Sequence, residues 1–85
     1  MSKIIRVNFW VRYRKGRKDW VIKNGRYELD SRLYKSNAVS TARWLAADHY
    51  KTTDVAVELH ILGKDGKIQK KDSYPRRLDP RKSKG

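Results

Sequence analysis

Eighty-five residues carry 22 lysines and arginines against 9 aspartates and glutamates, a net charge of +13. A chain this short forms one small domain burying roughly 60% of its unfolded surface, which excludes a catalytic domain beside a separate binding domain. The absence of cysteine, with only two histidines, removes disulfides, thiolate zinc sites, iron–sulfur clusters and cysteine nucleophiles, so neither metal nor cofactor is expected.

At 38% hydrophobic and 11% aromatic residues, the chain is too rich in core-forming side chains for a basic tail that stays disordered throughout. No apolar run approaches the roughly 20 residues needed to cross a bilayer. The N-terminus also lacks the apolar stretch of a signal peptide. The expectation is a soluble cytoplasmic protein with no membrane partner.

In chain order, residues 3–14 alternate with period two. Ile5, Val7, Phe9, Val11 and Tyr13 share one face, and Ile4, Arg6, Asn8, Trp10, Arg12 and Arg14 share the other, which predicts a strand with an apolar inner side. A glycine-bearing turn follows at residues 15–19, then a second short strand at 20–23, in which Trp20 reads as core. Asn24-Gly25 marks a hairpin because both residues tolerate positive φ, and residues 27–34 supply a third strand.

Ser36 is the expected cap of a helix reaching about Tyr50, with Ala38, Val39, Ala42, Leu45, Ala46 and His49 on one stripe. Trp44 lies roughly 140 to 160° from the centre of that stripe and should face outward. A fourth strand alternates Val55, Val57, Leu59 and Ile61 with Ala56, Glu58, His60 and Leu62. The turn at residues 63–66 then leads into a fifth strand from Lys67 to about Lys71. From Pro75 onward there is no periodicity, and a flexible basic tail is expected after a domain of residues 1–74. The expected fold is α+β: a curved antiparallel sheet of order β-β-β-α-β-β with one helix on its apolar face.

Positive charge is unevenly placed along this order. Residues 1–34 hold ten basic and three acidic groups, residues 35–62 three of each, and residues 63–85 nine and three. Strands, turns and tail are therefore basic around a neutral helix, a polarity suited to a polyanion.

Gly63-Lys64-Asp65-Gly66-Lys67-Ile68, followed by Asp72-Ser73-Tyr74, resembles the ending of the small family known as domain of unknown function 2188. Trp20-Val21-Ile22-Lys23 and Ala42-Arg43-Trp44-Leu45-Ala46 are similar to the same family's strand and helix segments, so the resemblance covers about residues 7–74. It implies the β-β-β-α-β-β order and no catalytic residues, and some phage-borne members look like inhibitors of bacterial defence systems. This chain departs from the family pattern at Trp44, at Leu62 and in its more basic ending, all of which add aromatic, apolar or positive character.

The leading reading is a small nucleic-acid-binding protein, phage-encoded if it follows those members, with DNA and RNA both open and a ribonucleoprotein surface equally compatible with the charges. Arg6, Arg12 and Arg14 would meet phosphates beside Trp10, which would stack on an unpaired base or pack on sugar. Lys15, Arg17 and Lys18 in the first turn, with Lys23 and Arg26 around the second, would grip phosphates on either side of a groove, as sheet-inserting DNA-binding domains do. Lys64, Lys67, Lys70 and Lys71 form a second cluster, continued by Arg76 and Arg77 in the tail. For each group the competing reading is an ordinary solvated surface, and for Trp10 a packing contact under the tail or in a homodimer.

The alternative function is an inhibitor docking on a host nucleic-acid-handling or defence enzyme through Trp44 and the neutral helix. Glu58 and His60 share a face at a spacing that acid/base chemistry could use, but both read as surface groups. Asp72, Ser73 and Tyr74 read as a strand exit, with Asp72 and Ser73 bonded to backbone and Tyr74 covering the core edge. With no phosphate loop, carboxylate pair or metal spacing, an enzyme is not expected.

Overall fold

The computed structural model describes residues 6–75. It is an α+β fold with elements β1 (Arg6–Arg14), β2 (Asp19–Asn24), β3 (Tyr27–Arg32), α1 (Lys35–Thr53), β4 (Ala56–Leu62) and β5 (Ile68–Tyr74). The five strands form one open sheet in the order β3-β2-β1-β4-β5. Of the sequence expectations, the α+β class and the element order stand. The sheet, however, is mixed rather than wholly antiparallel, because β1 and β4 run parallel, pairing Val7 with Val57 and Phe9 with Leu59. Direction explains this. Two hairpins return β3 to the direction of β1, α1 runs back across the sheet, and β4 must then start in the same sense as β1.

The turns follow from backbone chemistry. Asn24 stays in β2, opposite Tyr27, so the two-residue loop is Gly25-Arg26. Gly25 takes φ +63° there, a conformation that costs glycine least. In the β4–β5 turn Gly66 takes φ +84°, and the Asp65 carboxylate accepts the Lys67 amide at 3.0 Å. β5 runs to Tyr74, three residues beyond the expected end.

The helix begins at Lys35, with the extended Tyr34 as its cap residue and no side-chain cap. Ser36 therefore lies inside the first turn rather than capping it. Only Leu33 and Tyr34 separate β3 from α1, and so short a link fixes where the helix can start. Its far end passes Tyr50 to Thr53, whose hydroxyl donates to the His49 carbonyl at 2.7 Å. Asp54 then closes the helix in the left-handed conformation, φ 60°, donating its amide to Tyr50.

Ala38, Ala42 and Ala46 are all fully buried along one line of the helix, and their small size lets the backbone sit close to the sheet. Against them pack the inward residues of the central strands: Phe9, Val11, Ile22, Val57, Leu59 and Ile61, with Trp20 and Tyr74 closing the ends. Val39 and Leu45 flank the alanines, and His49 meets the Phe9 ring edge-on at 5.6 Å. An Arg43–Asp72 ion pair at 3.1 Å fastens the helix to β5. Asp72 thus bonds a helix side chain rather than the backbone. Among the described residues one helix covers one face of the sheet, and no element packs on the other.

Candidate nucleic-acid interface

The even-numbered residues of β1 project from the open face, as the alternation requires. Trp10 is the centre of what they build. Cross-strand register sets it beside Lys23 of β2 and His60 of β4. The indole stacks on the His60 imidazole with ring centres 4.1 Å apart and planes at 17°. The imidazole is held in turn by Asn8, whose Oδ1 lies 3.0 Å from Nε2, while Glu58 approaches the same nitrogen at 3.7 Å. With the Asn8 amide in this orientation, the Nε2–H tautomer donates to the Asn8 carbonyl.

His60 is only 7% exposed, which corrects its reading as a strand-surface residue. Burial holds its pKa below the usual histidine value, partly opposed by Glu58 and assisted by Lys71. Near neutral pH the group beneath Trp10 is an uncharged brace.

The rest of the Trp10 ring lines a groove of about 620 Å³. Arg12 and Tyr13 of the same strand share it with Lys23 of β2 and Leu62 of β4, and the turns contribute Lys15, Lys64 and Gly25, Gly63 and Gly66. Arg12, Lys15 and Lys64 are exposed and Lys23 half-buried, and none of the four forms an ion pair among the described residues. Lys64 additionally sits over the Tyr13 ring at 4.9 Å. The single carboxylate in the lining, Asp65, is bonded to its own turn. The groove therefore combines aromatic and aliphatic lining with four cations that form no ion pair and outnumber the one carboxylate, Asp65, a combination suited to phosphates and bases together.

Other arginines of the same face are already matched. The Arg14 guanidinium grips Asp19 through two bonds of 2.9 and 2.8 Å and reaches Glu28 at 2.8 Å, tying three strands together. This fork holds the Asp19 carboxyl below the usual carboxylate range and raises Arg14 further. Val21, buried on the open face, lies among Arg12, Arg14, Lys23 and Glu28, under the aliphatic stems of the basic side chains. Arg6 pairs with Glu58 at 3.3 Å.

Arg17 and Lys18 are exposed at the tip of the first hairpin, and Arg26 at that of the second. Lys67 lies in the β4–β5 turn, Lys71 opposite His60 on the open face, and Lys70 opposite the inward Ile61. Arg76 and Arg77, like the tail that holds them, lie outside the described residues. Trp44 is 65% exposed on the outer side of the helix, as its angle predicts.

Of the residues singled out in the sequence, the fold thus gathers Trp10, Arg12, Lys15, Lys23 and Lys64 into one groove and leaves the others dispersed. Asn8, His60 and Leu62 belong to the site and were not singled out for it. Their parity placed them on an outward face, but only the adjacency of β1 and β4 shows that they support and extend the Trp10 surface.

Among the described residues no group of three or more histidine, aspartate or glutamate side chains could hold a metal ion, and no helix is long and apolar enough to cross a membrane. Comparisons of the chain with protein-family models, with curated proteins and with solved structures find no match.

Proposed function

We propose that this chain is a nucleic-acid-binding protein rather than an enzyme, and that it engages the phosphate backbone through the open face of its sheet. One observation carries the reading: Arg12, Lys15, Lys23 and Lys64 converge on a groove floored by Trp10 and are matched by no carboxylate among the described residues. A surface selected for solubility alone has no need to surround an aromatic ring with uncompensated cations. The exposed cations of the hairpin tips and the β4–β5 turn add a wider positive field that steers a polyanion toward the groove. On this reading the protein acts in the cytoplasm, and kinship with the family its ending resembles belongs to the same proposal.

The test is a fluorescence-anisotropy titration of labelled DNA and RNA across a salt series. Micromolar or tighter binding that weakens steeply with salt, and weakens further when Arg12 and Lys23 are replaced by glutamine, supports the proposal. No binding at low salt refutes it. Trp44 favours a second reading, because an exposed tryptophan on the outer side of the helix suits a protein partner such as a host enzyme. In that case Trp44→Ala abolishes partner binding and leaves nucleic-acid affinity intact.

A further inference from the structure

Resting on the nucleic-acid reading, we infer that the groove over Trp10 selects single-stranded nucleic acid by taking an unpaired base onto the indole while the surrounding cations hold the flanking phosphates. Three features point to a base as well as a backbone. The lining holds Trp10 and Leu62: beyond the indole N–H they offer a phosphate little, but they offer a base a stacking partner and apolar contact.

The indole is also fixed before any ligand arrives. One side is stacked on His60, and His60 is held by Asn8, so little ring freedom remains to be lost on binding. The volume of about 620 Å³ falls within the roughly 300–1,000 Å³ range of small-ligand sites.

A duplex keeps its bases stacked and paired, so it could bring phosphates, sugars and base edges to the rim but no free base face to the indole. A single strand can turn one base inward and keep the neighbouring phosphates near Arg12, Lys23 and Lys64. The shared chemistry is that of a nucleotide unit, and parallel DNA and RNA strands distinguish the sugar.

The experiment compares the intact protein's affinity for a thymidine homopolymer about 12 nucleotides long, the equivalent uridine strand, a duplex and an abasic strand of the same length. Inorganic polyphosphate serves as a polyanion without bases. The thymidine or uridine strand should bind roughly 5- to 150-fold more tightly than the abasic strand, the range expected for one stacked base, and more tightly than the duplex. Trp10→Phe should keep most of this preference, while Trp10→Ala should lower affinity for the base-bearing strand to that for the abasic strand, a larger loss than it causes for polyphosphate. Because the abasic comparison uses the unaltered protein, it holds even if Trp10→Ala does not fold. Equal, salt-dependent binding of base-bearing, abasic and duplex ligands overturns the inference and leaves the nucleic-acid reading standing, whereas no binding to any of them overturns both.

Discussion

If the open sheet face binds nucleic acid as proposed, salt dependence counts which cations meet its phosphates. Each lysine or arginine that neutralises a phosphate on a single strand contributes about −0.7 to the slope of log affinity against log salt concentration. Arg12, Lys15, Lys23 and Lys64 line the groove, and together they predict a contribution of about −2.8, or roughly a fifty-fold loss of affinity between about 50 and 200 mM salt. Replacing Lys23 and Lys64 by glutamine should make the slope shallower by about 1.4, whatever the remaining basic residues add. The paired replacement Arg6→Gln with Glu58→Gln is the internal control. It removes a cation already matched at 3.3 Å and leaves net charge unchanged. Anisotropy titrations of one labelled strand at four or more salt concentrations, for the three proteins side by side, give the slopes directly. If the lysine variant keeps the native slope, or the matched-pair variant loses as much as the lysine variant, the groove is not where phosphates are neutralised.

Two further outcomes follow from the packing and from His60. Ala42 is fully buried between α1 and the sheet, so Ala42→Leu should destabilise the fold by about 1–3 kcal/mol in urea unfolding. An unchanged midpoint would contradict the close seating of the helix. His60 has its folded-state pKa lowered, chiefly by burial, with Glu58 opposing and Lys71 assisting, and with the uncharged Trp10 and Asn8 facing it from β1. The unfolded chain therefore takes up the proton first as pH falls below about 6.5. Stability from this group is complete above that pH and declines on acidification toward pH 5, and His60→Gln should flatten the decline. A midpoint that rises on acidification in the native protein and not in the variant would reverse the assignment.

Local patterns made much of this fold legible in the sequence. Alternation from Arg6 to Arg14 assigned both faces of β1, the alanine stripe gave the buried side of α1, and the angle of Trp44 gave its exposure. The order of strands was not legible, because period-two patterning states which face a residue occupies and not which strand lies beside it. The parallel β1–β4 pairing, the His60 brace beneath Trp10 and the contribution of Leu62 all depend on that adjacency. The same limit explains Arg14. In the sequence it is one more outward arginine, and only the register that sets it opposite Asp19 shows its charge to be engaged.

That adjacency also shapes how the molecule assembles. Asn8 and His60 meet across 52 residues of chain, so completing the second side of the central strand closes a far longer loop than either hairpin does. Closing so long a loop costs entropy before the pairing repays it, which places β4 docking late and makes it slow relative to the two hairpins. Until then the β1–β2–β3 meander carries an apolar strand with one open edge, a template for pairing with another chain during synthesis or refolding. The groove over Trp10, which draws Leu62 from β4 and its brace His60 from the same strand, is thus absent from every partly folded form that lacks β4.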